Sequence, residues 1–273
     1  MPQLIVFTDL DGTLLDAETY AFDAAQEALN ELRVRGIPLI PASSKTRVEI
    51  ERLRASLDHY HPFIVENGGG VFIPKGYFDF PLEGAALRGP YQVIDLGLPY
   101  SALRLALKEI AHALNCRIRG FGDMTTEEVA ERMGLSSSDA LLAKQREYDE
   151  PFIVESAPPP VDEIHRKAEA RGLRCTSGGR FDHLMGPSDK GSACRYLIDC
   201  YRRRYGAITT VAIGDSLNDL SMLTAVDQPI LVQRTDGTYD PGIMLSNLVR
   251  AQGIGPLGWN RAVLATLRSV ASG

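Results

Sequence analysis

Two aspartates close an apolar run near the start of the chain, Leu4-Ile5-Val6-Phe7-Thr8-Asp9-Leu10-Asp11-Gly12-Thr13. A run of this length, rich in Val, Ile and Phe, reads as a buried parallel strand, and ligands of such sheets sit just beyond the strands' carboxyl ends. A carboxylate at that point faces the crevice on rigid backbone, so Asp9 suits a nucleophile that accepts a phosphoryl group as an acyl phosphate. Asp11, two residues on, can protonate the leaving oxygen and then activate water. A second acidic group ends a later apolar run, where Thr209 to Ile213 leads into Gly214-Asp215-Ser216-Leu217-Asn218-Asp219. Carboxylates gathered in one crevice repel each other unless a cation sits among them. Hard oxygen donors without His or Cys nearby point to Mg2+. The expected ligands are Asp9, the backbone carbonyl of Asp11, and Asp215, with Asp219 acting through water or from behind. Ser43 is expected to donate to a phosphoryl oxygen, and Lys190 to balance its charge and that of Asp9.

These groups need a scaffold that brings strand ends together. Phe22 to Arg35 has helical spacing with Gly36 as its stop, Ile37 to Ala42 reads as a strand, Val48 to Leu57 as a helix, and Phe63 to Val65 as a third strand. Strand, helix, strand, helix, strand predicts a doubly wound parallel sheet, a Rossmann-like α/β core. A short hairpin is expected over Val71 to Phe80, and Pro81 to Pro90, with two glycines between its prolines, reads as a hinge or linker. Mixed strands and helices then run to Gly186, which predicts an inserted α+β domain. Lys190 to Arg204 (helix), Thr209 to Ile213 and Ile230 to Val232 (strands) and Trp259 to Val270 (helix) return to the parallel pattern. The expected division is residues 1–82 and 187–273 for the core and 83–186 for the insert.

Length and charge narrow the function. A chain of 273 residues can bury a large core. A formal charge of -6 argues against nucleic acid as a partner. The four cysteines form no Cys-x-x-Cys pair and no zinc spacing, as expected of a reduced cytoplasmic protein. Without a long apolar run, no membrane partner is expected.

Asp9-x-Asp11, Ser43, Lys190 and Gly214-Asp215-Ser216-x-Asn218-Asp219 resemble, in this order, the four motifs of the haloacid dehalogenase superfamily. The resemblance implies a phosphatase with a C2-type cap between the second and third motifs. Ser43-Ser44-Lys45-Thr46-Arg47, Val65-Glu66-Asn67-Gly68-Gly69, Arg146-Glu147-Tyr148-Asp149-Glu150-Pro151-Phe152 and Gly178-Gly179-Arg180-Phe181 are similar to runs of the mannosyl-3-phosphoglycerate phosphatase family. That narrower resemblance implies Mg2+-dependent hydrolysis of a phosphorylated sugar acid to mannosylglycerate, a compatible solute. The alternatives are phosphatases of glucosyl-3-phosphoglycerate, sucrose phosphate or trehalose phosphate, and a phosphomannomutase-like phosphoryl transferase.

Such a small-molecule substrate carries a phosphate and a carboxylate, so cations beyond Lys190 are needed. Lys45 and Arg47 lie beside Ser43 and Ser44, and Arg146 and Arg180 fall in the insert; an arginine fork matches a carboxylate. Glu66, Asn67, Glu147, His183 and Asn218 are expected on sugar or phosphate oxygens, Tyr148 over a sugar ring face, and Gly179 where backbone meets ligand.

Overall fold

The computed structural model describes residues 2–156, 160–178 and 181–271. Its strands and helices, in chain order, are β1 (Gln3–Thr8), α1 (Gln26–Val34), β2 (Leu39–Pro41), α2 (Arg47–Leu57), β3 (Phe63–Val65), β4 (Gly70–Pro74), β5 (Ala86–Arg88) and β6 (Tyr91–Asp95). There follow α3 (Tyr100–Ala113), β7 (Ile118–Gly120), α4 (Thr126–Met133), α5 (Ser137–Ala143), β8 (Asp149–Val154), α6 (Val161–Glu169), β9 (Arg174–Gly178) and β10 (Phe181–Met185). The chain closes with α7 (Lys190–Tyr205), β11 (Ile208–Gly214), α8 (Leu220–Leu223), β12 (Gln228–Gln233), β13 (Val249–Ile254) and α9 (Gly255–Ala271).

The core is a five-stranded sheet in the order β13-β12-β11-β1-β2, and every pairing in it is parallel. Alternation along β1 explains its two faces. Leu4 and Val6 pack with Leu29 and Leu32 of α1 and with Trp259 and Val263 of α9. Ile5 and Phe7 pack on the other side with Ala193, Leu197 and Tyr201 of α7. A parallel sheet covered on both faces leaves its carboxyl edge as the open crevice.

The third expected strand behaves differently. β3 joins β2 through a single parallel bridge, Ala42 to Ile64, and pairs antiparallel with β4. The β4 strand pairs in turn with β6, and β6 with β5. The expected hinge over 81–90 therefore contains a strand, and Tyr91 to Asp95 belongs to the β3–β4 sheet rather than to the inserted one. Alternating Phe72 and Val93 against Val71 and Ile94 continue the two core faces through this sheet. The β13 strand was not expected from the sequence: its exposed Val249, Arg250, Gln252 and Ile254 surround one buried residue, Ala251, so the apolar pattern is weak.

The inserted sheet has the order β7-β8-β10-β9 and is antiparallel throughout. One face, with Phe152 and Leu184, is sealed by Leu103, Leu107 and Ile110 of α3 and Ile164 and Ala168 of α6. Its other face carries Asp149, Pro151, Thr176, His183 and Met185 by the period of two, and looks onto the crevice of the core. The two short helices α4 and α5 start on side-chain caps from Thr125 and Ser136.

Candidate active site

Four strand ends meet at one crevice. The chain passes from β1 into Asp9, from β2 into Ser43, from β3 into Asn67 and from β11 into Asp215. Helix α7 points its first residue, Lys190, into the same place, with Asp189 as N-cap accepting from Ser192 N. Gly68 has φ +96°, and a Cβ there would overlap the carbonyl of Asp189, so glycine is what lets the β3 loop lie against the start of α7.

Lys190 is buried, and its Nζ donates to Asp9 Oδ1 at 2.6 Å and to Asp219 Oδ1 at 2.7 Å. Burial opposes its charge, but Asp219 and Asp9 outweigh that and hold its pKa above the ordinary lysine value. The second oxygen of Asp219 accepts from the backbone N–H groups of Asp215 at 3.1 Å and Ser216 at 3.3 Å. Asp219 thus positions the Lys190 ammonium and the Asp215 loop.

Carboxylate oxygens of Asp9, Asp215 and Asp219 lie within 4.8 Å of one another. Burial, reinforced by Asp219 and Asp215, pushes the Asp9 carboxyl well above the usual carboxylate range, and Lys190 only partly offsets this. Burial and then Asp219 push Asp215 up to about 6, although Thr13 Oγ1 donates to it at 3.1 Å. An all-oxygen cluster with more negative charge than Lys190 can neutralise fits a hard divalent cation.

Asp11 faces Lys45, whose Nζ lies 2.9 Å from Asp11 Oδ1. Burial disfavours the Lys45 charge, but Asp11 and Glu49 raise its pKa regardless, and its ammonium sits 4.7 Å above the Tyr20 ring. Lys45 therefore orients Asp11. Ser43 is buried, and its Oγ accepts from Lys45 N at 3.2 Å, which leaves its own O–H to be donated.

A cavity of about 790 Å3 separates this crevice from the inserted sheet; Asp11, Ser44, Asn67, Arg146, His183 and Asn218 line it, together with Tyr20, Phe121, Pro151, Thr176, Phe181, Leu217 and Asp240. A second cavity of about 700 Å3 shares Asn67, Thr176, Leu217 and Asn218 and reaches Lys190. Asn67 holds a left-handed backbone, φ 56° and ψ 31°, with its buried Oδ1 lacking a hydrogen-bond partner. Asn218 Oδ1 accepts from Ser216 Oγ at 2.8 Å.

Other residues expected on the substrate are engaged elsewhere. Glu66 is buried and accepts from Glu147 N at 2.9 Å and Tyr148 N at 2.8 Å, which ties the core to the insert. Arg47 pairs with Glu51 at 3.0 Å and Glu147 at 2.9 Å, and Glu147 faces Arg88 at 3.7 Å. Tyr148 is buried among core residues, its hydroxyl bonded to Asp95 and Arg88, and its ring fills the space that Gly69 and Gly70 leave. It covers no sugar face. The Arg146–Phe152 run thus straps the insert to the core through residues 147 and 148, while Arg146 itself faces the cavity and donates to Ser44 O at 2.7 Å. Gly179 and Arg180 lie outside the described residues.

Three contributors were missed. Thr13 stands in the first motif and bonds Asp215, a role that only the fold reveals. Thr8 Oγ1 donates to Asp9 O at 2.7 Å and accepts from Trp259 Nε1 at 2.9 Å. Asp149, not singled out in the sequence, is fully buried beside His183 and Arg146.

No helix among the described residues is long and apolar enough to cross a membrane.

Residues 6–78 match the family model of haloacid dehalogenase-like hydrolases. A glucosyl-3-phosphoglycerate/mannosyl-3-phosphoglycerate phosphatase of Methanococcoides burtonii is 48% identical over 95% of this chain and 96% of its own. The mannosyl-3-phosphoglycerate phosphatase of Pyrococcus horikoshii is 38% identical over 84% of this chain and 90% of its own. In fold, the chain is similar to the sucrose-phosphatase of Synechocystis sp. PCC6803, solved with sucrose and phosphate, at a TM-score of 0.62 and 17% identity over 100% of this chain and 98% of that one. With two acidic motifs, a serine and a lysine meeting at one crevice, and with this identity spread along its length, the chain belongs to the haloacid dehalogenase-like hydrolases and is a phosphoric monoester hydrolase.

Proposed function

We propose that this protein hydrolyses mannosyl-3-phosphoglycerate, and its glucosyl counterpart, to the hexosylglycerate and phosphate. The observation that carries the reading is the buried Lys190 between Asp9 and Asp219, lining the cavity of about 700 Å3 that Thr176 and Met185 of the inserted sheet also line. Two full-length relatives bear both substrates in their names. Sugar epimers differ by one hydroxyl's orientation, and a roomy cavity lined by several polar side chains suits both.

In this reading Asp9 attacks phosphorus, the P–O bond to the glycerate C3 oxygen breaks, and Asp11 gives that oxygen its proton. Asp11 then takes a proton from water as the water's oxygen attacks the phosphorus of the aspartyl phosphate, which frees Asp9 and phosphate. Ser43 and Lys190 donate to phosphoryl oxygens throughout, so that negative charge always faces fixed donors. Asp9, Asp215 and the Asp11 carbonyl would hold Mg2+, which supplies charge neutralisation for the phosphoryl group when bound. Arg146 is the cation offered to the glycerate carboxylate, because it is buried at the cavity wall with Nε lacking a partner.

In this reading the cap spans residues 97–186, narrower than the expected 83–186, since β6 pairs with β4 and β5 with β6. Four free cysteines suit a reducing compartment, and the reading includes the cytoplasm. The test is a phosphate-release panel, with and without a chelator, on mannosyl- and glucosyl-3-phosphoglycerate, sucrose 6-phosphate and trehalose 6-phosphate. Preference for either phosphoglycerate, lost with chelator, supports the reading. Preference for a disaccharide phosphate overturns it.

A further inference from the structure

We infer that Asp149 is a positioning residue for substrate selection, holding the His183 imidazole so that its Nε2 reads a hydroxyl of the hexose. The inference rests on the proposed function and adds to it the way the cap recognises the sugar.

The argument begins with strand register. His183 on β10 is paired with Pro151 on β8, and Asp149 stands two residues from Pro151, so both side chains rise from the same face of the inserted sheet. That face looks into the cavity, which His183, Pro151, Thr176 and Phe181 line. Asp149 is wholly buried, and its Oδ2 lies 2.7 Å from His183 Nδ1. A carboxylate in that position can only accept, so Nδ1 carries the hydrogen and donates it. The ring is then fixed in orientation, and Nε2 is left as its remaining polar edge.

A sugar hydroxyl suits Nε2 at that edge because it can give or accept a hydrogen bond, whereas a carboxylate calls for a fixed cation. Arg146 already offers one on the same wall, with its Nη1 2.7 Å from Ser44 O and 3.8 Å from Asp149 Oδ2. The two neighbours therefore divide the substrate. Arg146 faces the acid end, and His183 the sugar. Asp149 touches neither part of the substrate and acts through the ring it orients.

The test uses the full chain and compares Asp149→Ala, Asp149→Asn, His183→Ala and the double Asp149→Ala/His183→Ala. Substrates are mannosyl-3-phosphoglycerate and p-nitrophenyl phosphate, with 3-phosphoglycerate as a competitive inhibitor that lacks the hexose. Asp149→Ala and His183→Ala are each expected to raise KM for the sugar substrate about tenfold. The double variant should be no worse than either single, because one residue works through the other. Turnover of p-nitrophenyl phosphate and the inhibition constant of 3-phosphoglycerate should stay within about twofold. Asp149→Asn keeps an acceptor for Nδ1 and should recover most of the KM, which also settles the matter where Asp149→Ala fails to fold.

Multiplying effects in the double variant, or equal losses on both esters, would overturn the inference. So would a matching rise in the inhibition constant of 3-phosphoglycerate. An unmodified protein that hydrolyses p-nitrophenyl phosphate but neither hexosyl phosphoglycerate would instead overturn the proposed function.

Discussion

Trp259, the chain's one tryptophan, donates from Nε1 to Thr8 Oγ1 at 2.9 Å, and Thr8 in turn donates to the backbone carbonyl of Asp9. The last helix thereby reaches under the sheet and fixes the strand end that carries the proposed nucleophile. All three groups are buried, so the loss of one partner leaves another without its bond. Trp259→Phe is expected to lower unfolding free energy by about 1–3 kcal/mol, read by urea titration. An unchanged midpoint would show that the relay carries no weight.

Lys190 places one ammonium between the carboxylates of Asp9 and Asp219. Lys190→Met removes a donor aimed at phosphoryl oxygens and leaves Asp9, Asp215 and Asp219 to repel each other. Steady-state kinetics should show kcat lowered by about 10^2–10^3. A loss under about threefold would remove Lys190 from the charge-stabilising set.

Glu66 gives the account a pH dependence. Burial, with Arg146 opposing it, pushes the Glu66 carboxyl up to about 8 from an ordinary 4.5. A carboxyl raised in the folded state binds its proton more tightly folded than unfolded. Its contribution is therefore most favourable below about 4.5, and stability is lost as pH climbs from there to about 8, by at most about 1.4 kcal/mol per pH unit. The stability of the unmodified protein relative to Glu66→Gln should fall across that window in urea titrations. A difference that stays flat, or grows with pH, would contradict the assignment.

Arg47 and Arg146 separate strapping from recognition. Arg47 ties α2 to Glu147 and lines neither cavity, so Arg47→Ala should leave KM for the sugar substrate within about twofold and cost under about 1 kcal/mol of stability. Arg146→Lys keeps the charge but loses the fork, and should raise that KM about tenfold. Equal KM effects from the two variants would contradict the division.

The parallel core and its strand-end chemistry were legible because both leave local marks. Buried apolar runs end in Asp9 and Asp215, and Lys190 begins a well-capped helix. What stayed hidden depends on long-range pairing. Tyr148, Glu66 and Glu147 look like free polar groups in the sequence, yet the fold spends them where the cap meets the core. The 81–90 stretch reads as a linker because prolines bound it and two glycines interrupt it, whereas β5 needs only the edge of β6 to become a strand. Asp149 sits in an acidic run, and nothing local distinguishes a buried carboxylate from a solvated one.

The account depends most on Asp9, buried at the end of β1 within 2.6 Å of Lys190, forming the bond to phosphorus. Its most direct test is kcat of Asp9→Asn on mannosyl-3-phosphoglycerate at saturating Mg2+. We expect a loss of at least about 10^3-fold, roughly 4 kcal/mol in barrier. Turnover close to that of the unmodified protein would contradict the account.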